Sequence, residues 1–149
     1  MHPFLETYNR VNAFGRWMGM ELEYIAPGEV RYRMPLKAEH LSNPLAAHGG
    51  AISALMDGIL GVAALSLAVE DGRLVSTVEF KINYYAPIQA GDILVGHGLV
   101  VFAGRRIMSS EGEIRCENRE GLLLCKGLGT FNAYPADKNP LFMAGNEDA

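Results

Sequence analysis

Hydrophobic and polar residues change rhythm several times along this 149-residue chain, and each change predicts an element. Residues 76–85, "STVEFKINYY", alternate with period two: Val78, Phe80, Ile82 and Tyr84 take one face, and Thr77, Glu79, Lys81 and Asn83 the other. That is the pattern of a half-buried strand. After Pro87 and Gly91-Asp92 a second run, "ILVGHGLVVF", leads to a turn at Gly104. Residues 107–117 alternate again, with Met108, Ser110, Gly112, Ile114 and Cys116 opposite Glu111, Glu113, Arg115 and Glu117. "ENREG" turns the chain into "LLLCKGLGTFNAY". Upstream, "MELEYIAPGEVRYRMPL" reads as a hairpin turning at Pro27-Gly28, preceded by a short helix over residues 3–14.

Between the hairpin and these strands lies a run of another kind, apolar all round from about residue 48 to 70. From Ala51 to Val69 its only charge is Asp57. Its length approaches that of a membrane span, but no basic cluster flanks it and strands follow, so a helix buried inside the domain is the expectation. An antiparallel sheet must cover one face, and this helix is the one element apolar enough to do so. The fold class is therefore α+β, a sheet wrapped around one central helix. One domain over residues 1–134 is expected, followed by a polar, poorly ordered tail over 135–149.

Composition narrows the function classes. With 49% hydrophobic and 20% charged residues the chain has an ordinary globular make-up, and 13 basic against 17 acidic residues give no footprint for nucleic acid or an anionic membrane. Two cysteines, Cys116 and Cys125, make no disulfide framework and read as free thiols. The N-terminus lacks the pattern of a secretory signal, so a cytoplasmic location is expected. His2, His40, His48 and His97 show no metal-ligand spacing, and there is no Gly-x-Ser-x-Gly elbow.

Two features of the long helix carry chemistry. Gly50, Ala54, Asp57, Gly61, Ala64 and Ala68 recur at intervals of three and four, forming one stripe of small side chains that suits close approach by another element. Ile52, Leu55, Met56, Ile59, Leu60 and Val62 point in other directions. A buried carboxylate on that stripe must pair, protonate or be selected against. At the helix start, "HGG" places the amides of Gly49, Gly50 and Ala51 where they point ahead of the helix, an arrangement that favours an anion or a developing oxyanion.

"HGGAISALMDG" preceded by Asn43, then "STVEFKINYYAP" and "GDILVGHGLVVFAGRR", together resemble the acyl-CoA thioesterases of the hotdog fold, of the phenylacetate-degradation (PaaI-like) type. The likeness covers roughly residues 15–134. It implies a five- or six-stranded antiparallel sheet around a central helix, and homodimers, often dimers of dimers, with sites at the dimer interface. It implies hydrolysis of an acyl-CoA, with coenzyme A entering as part of the substrate and no separate cofactor. Carried over by position, the Gly49 amide polarises the thioester carbonyl beside Gly50, and Asn43 helps place carbonyl or water. Asp57 from the partner subunit acts as general base or nucleophile, and Thr77 orients it or the water. His48 is a loop-packing residue in preference to a base. Asn43 and His48 enclose four residues where the family commonly has five, which leaves Ser42 or a rearranged loop as an alternative. The coenzyme A phosphates need a local basic site, for which Arg105 and Arg106 are the candidates, with Lys81, Arg73 and Lys126 behind them. Leu55, Ile59, Tyr84 and Tyr85 are expected to line the acyl pocket. Two other readings remain open from sequence: an acyl-CoA-binding protein without hydrolysis, and a hydratase or dehydratase using His48.

Overall fold

A computed structural model describes residues 1–137 and 139–141. The expected first helix is two: α1 (Pro3–Val11) and α2 (Ala13–Met18). Asn12 separates them, its Oδ1 accepting from the Gly15 amide (3.0 Å) as the N-cap of α2. A helical pattern continued through Asn12 misses this because a capping side chain competes with the helix it interrupts.

β1 (Glu21–Ala26) and β2 (Glu29–Pro35) form the expected hairpin, with Gly28 in the left-handed conformation (φ 86°) at its turn. A small hairpin, β3 (Leu41–Asn43) and β4 (Ala46–Ala47), leads into α3 (Gly49–Ala68). The strands β5 (Arg73–Tyr84), β6 (Ile93–Ala103), β7 (Ile107–Cys116) and β8 (Leu122–Pro135) follow. Six strands make one antiparallel sheet in the order β1-β2-β6-β7-β8-β5, which leaves β1 and β5 as its edges.

α3 lies across one face of this sheet. Ile52, Leu55, Met56, Ile59 and Leu60 are fully buried against Leu94, Met108, Ile114 and Phe131. The helix nests closely because the sheet is glycine-lined beneath it: a Cβ on Gly98 would stand 2.7 Å from the Ile59 carbonyl oxygen. Gly49–Asp71 is long and apolar enough to span a membrane by length and composition, yet the sheet covers its apolar side. The outer sheet face is polar, with ion pairs Arg31–Glu23, Arg33–Glu117 and Arg115–Glu113, and His97 beside Glu29 (2.7 Å). Both cysteines are buried and free, and burial pushes the Cys125 thiol up to about 11.

β7 alternates as its sequence predicts, but β5 does not keep one phase. A bulge in its pairing with β8 falls between Thr77 and Glu79, leaving Val78 as the extra residue. Thr77 and Phe80, three apart, therefore both turn toward α3, while Val78 is 58% exposed instead of sharing the core face with Phe80. At the other end of the chain β8 reaches Pro135 and Ala136 is buried, its amide donating to the Gly72 carbonyl (3.0 Å). Residues 138 and 142–149 of the expected tail lie outside the described residues.

Candidate active site

The start of α3 is assembled by histidines. His48 is its N-cap, with backbone φ −73° and ψ 128°, and its Nδ1 accepts from the Gly50 amide (2.8 Å). The His48 carbonyl takes the Ala51 amide (3.0 Å). Of the three amides expected to point ahead of the helix, two are thus used within the chain, because the N-cap side chain and carbonyl reach them first. The Gly49 amide has no acceptor among the described residues. Gly50 is small for a steric reason: a Cβ there would sit 2.9 Å from the His48 ring. His48 itself is fixed by His40, whose carbonyl accepts the His48 amide (2.8 Å). His40 is buried, its Nδ1 accepts from the Lys37 amide (3.1 Å), and burial foremost, with Lys37 second, lowers its pKa below the ordinary histidine value. The sequence offered no signal for His40 beyond its proximity to the HGG motif.

Tyr84 closes the other side of this turn. Its hydroxyl donates to the Gly49 carbonyl (2.7 Å) and lies 2.8 Å from Ser53 Oγ, which is left to donate to it.

Asp57 stands two turns further along. It is half-buried, not sealed in the core, and is partnered: Thr77 Oγ1 donates to Asp57 Oδ1 (3.0 Å). Together they wall a cavity of about 180 Å³ with Tyr8, Ser76, Gly58 and Phe131. The small-residue stripe beside Asp57 is approached by the chain's own elements. Met20, after α2, would press its Cε to 2.5 Å from a Cβ on Gly58, and Phe131 approaches Gly61.

The thioesterase superfamily model matches residues 46–122, a span from β4 through α3 to the start of β8. The chain belongs to the thioesterase superfamily. Among solved structures, it is similar to a thioesterase family protein of Silicibacter pomeroyi, with 24% identity and a TM-score of 0.80 over 90% of this chain and 97% of that one. The PaaI protein of the E. coli phenylacetic acid degradation operon shares the fold at 18% identity and a TM-score of 0.75, over 89% and 94% of the two chains. A hypothetical thioesterase of Streptococcus pneumoniae, solved with coenzyme A, is 25% identical with a TM-score of 0.68, covering 78% of this chain and 86% of that one. The hotdog architecture expected from the resemblance is the one observed: six antiparallel strands and one long central helix.

A thioesterase site needs an oxyanion donor, a base or nucleophile, and room for both arms of the substrate. Donor and carboxylate are present on α3, but the remaining sequence candidates fare differently. Asn43 spends its Oδ1 on the amides of Leu45 (2.9 Å) and Ala46 (3.1 Å), closing the β3–β4 turn. Ser42 donates to the Ala46 carbonyl in the same turn (3.3 Å). Leu55 and Ile59 cannot line an accessible pocket, since both are fully buried under the sheet. The apolar opening nearest Gly49 lies instead between α2 and the first turns of α3, a groove of about 280 Å³ walled by Phe14, Trp17, Met18, Ala51 and Ala54. Periodicity gave no sign of it, because exposed aromatics on a short helix read as ordinary surface. Tyr85, 58% exposed, stands beyond the end of β5.

Arg105 and Arg106 sit at the β6–β7 turn, and neither guanidinium has a partner among the described residues. Arg73 is not available to reinforce them. It holds Asp71 (2.9 Å) and donates to the carbonyls of Gly104 (3.1 Å) and Arg105 (2.9 Å), so it clamps the turn that presents them. Among the described residues no group of three or more His, Cys, Asp or Glu is placed to hold a metal ion. The largest concavity, about 850 Å³, lies on the outer sheet face over Glu29, Arg31, His97 and Glu113, behind the sheet from Gly49 and Asp57.

Proposed function

We propose that the protein hydrolyses acyl-CoA thioesters in sites shared between two subunits, with the Gly49 amide of one as oxyanion donor and Asp57 of the other as general base. One observation carries this reading. Gly49 and Asp57 are eight residues apart on the same straight helix, about 12 Å along its axis at 1.5 Å per residue. A reacting carbonyl needs its donor and its attacking water each within about 3 Å, so the two groups of one chain cannot serve one substrate. A second copy supplies the missing half. β5 is a 12-residue edge strand with unpaired backbone groups on its outer side. Pairing two β5 strands antiparallel about an axis midway between Thr77 and Tyr84, near Phe80 and Lys81, sets the Tyr84–Gly49 corner against the Asp57–Thr77 corner of the partner.

In such a site water adds to the thioester carbon while its proton passes to the Asp57 carboxylate. Negative charge gathers on the carbonyl oxygen opposite the Gly49 N–H at the positive end of α3. As the tetrahedral species collapses the C–S bond breaks, and the departing thiolate takes the proton from Asp57, giving free acid and thiol. Removing one such amide donor costs about 2.7–4 kcal/mol in other hydrolases, and a positioned base contributes about 10² to 10⁴ in rate.

The groove between α2 and α3 opens beside the same first turn and suits the apolar acyl arm. The relative solved with coenzyme A supports that thiol as the other arm, and the unpartnered Arg105 and Arg106 are offered for its phosphates. A hydratase reading is disfavoured by His48: it accepts through Nδ1, so the neutral ring carries its proton on Nε2 and keeps no free basic nitrogen. Thiol release from a panel of aryl and aliphatic acyl-CoAs, with enoyl-CoA hydration followed in parallel, tests the assignment. Release is expected; hydration without release overturns it.

A further inference from the structure

We infer that Tyr8, on the N-terminal helix α1, is a working residue of this site, its hydroxyl holding the attacking water against Asp57. The inference rests on the proposed role of Asp57 as general base, and it extends the site to an element that the superfamily match over residues 46–122 leaves out.

The placement of Tyr8 begins with its helix. Pro3 starts α1, the His2 side chain caps it, and Phe4 and Leu5 are buried, so one face of α1 is anchored to the core. Tyr8 lies three and four residues beyond those anchors, on the same face. Its ring reaches the cavity of about 180 Å³ that Asp57 and Thr77 also line. The break between α1 and α2 fixes its hydroxyl as well. Asn12 caps α2 through Oδ1 and directs its Nδ2 toward the Tyr8 oxygen (3.4 Å).

Counting donors and acceptors shows what remains. The Tyr8 oxygen faces a donor in Asn12, which leaves its own O–H hydrogen without a protein acceptor among the described residues. Asp57 Oδ1 receives Thr77, which leaves Oδ2 without a donor. One cavity therefore presents one free donor and one free acceptor, with no direct hydrogen bond between them, and it has the volume of several waters at about 30 Å³ each. A water fits both groups at once: its oxygen accepts from Tyr8, one hydrogen goes to Asp57, and a lone pair stays free to attack. Tyr8 keeps its proton for this task, because burial first and the Asp57 charge second raise its pKa above the ordinary tyrosine value. The other cavity walls, among them Val62, Leu65 and Phe131, offer that water no competing polar group.

Tyr8→Phe removes one oxygen and keeps the ring, so the fold should hold. The expected result is a 10- to 100-fold fall in kcat for acyl-CoA hydrolysis, KM within about twofold and a thermal midpoint within a few degrees of the parent. In an Asp57→Asn background the same change should lower the residual rate less than twofold, because both residues act on one water; a purely structural loss would lower both backgrounds alike. If Tyr8→Phe keeps kcat within twofold while Asp57→Asn loses 100-fold or more, the inference on Tyr8 is wrong and the reading of Asp57 stands. If Asp57→Asn itself turns over at the parent rate, the site reading fails and takes Tyr8 with it.

Discussion

Two differently damaged chains should repair each other. Gly49→Pro removes the oxyanion donor, and the structure favours its folding on three counts. Gly49 is the first residue of α3, where proline's fixed φ is accommodated. His48 already has φ −73° and ψ 128°, the extended conformation that a following proline demands. The amide that is lost serves no acceptor within the chain, and a Cβ at this position meets Tyr84 at an ordinary 3.6 Å. Asp57→Asn removes the base at nearly constant volume. Each variant alone should lose at least about 10²-fold in kcat, the lower end for a missing donor or base. Random reassociation of an equal mixture makes about half the dimers mixed, and each mixed dimer has one site with both lesions and one with neither. Thiol release should therefore recover to roughly a quarter of the parent rate once exchange is complete. Exchange is verified separately, by mass spectrometry of differently tagged chains. A fully exchanged mixture that stays as inactive as its components would place both groups in one chain and refute the geometric argument from their separation on α3.

Thr77→Val should lower kcat about tenfold with little change in KM, since Asp57 loses the hydroxyl that orients it; steady-state kinetics check this. Replacing Arg105 and Arg106 together by Ala should raise KM for an acyl-CoA much more than for the matching acyl-pantetheine, and an equal rise for both would place these residues away from the phosphates. His40 adds a pH dependence of known sign. Its folded pKa lies below the ordinary 6.5, so as pH falls through 6.5 the unfolded chain binds a proton that the native one refuses, and stability declines until the folded pKa is passed. Urea unfolding at pH 7.5 and 5.5 should show the loss, and His40→Asn, which keeps an acceptor for the Lys37 amide, should reduce it.

How far the chain could be read before its fold was seen depended on whether a signal was periodic or local. The alternation of residues 107–117 and the unbroken apolar run around Asp57 reflect burial, which leaves a repeating mark on sequence, and β7 and α3 follow both. Asn12, Val78 and His48 act through single hydrogen bonds or one extra residue, and such devices have no period. Asn12 breaks a helix that the pattern carries through, Val78 reverses a strand's phase, and His48 takes up an amide otherwise counted as free. Leu55 and Ile59 failed as pocket residues for the opposite reason: their apolar character was read correctly but marks the core. The shared site was implied by the resemblance, and the helical rise between Gly49 and Asp57 now supplies a physical reason for it.

The bulge at Val78 makes β5 two half-strands in series with an offset of one residue between them. The segment after it is occupied with keeping Phe80 and Ile82 on the core, and the segment before it with presenting a hydroxyl to a carboxylate. Because the offset absorbs the mismatch, either segment can change its side chains without rephasing the other. What it does not tolerate is a change of length: deleting one residue here would restore a regular ladder and turn Thr77 away from Asp57 while leaving every core contact of Phe80 in place. In this strand the spelling is forgiving and the count is not.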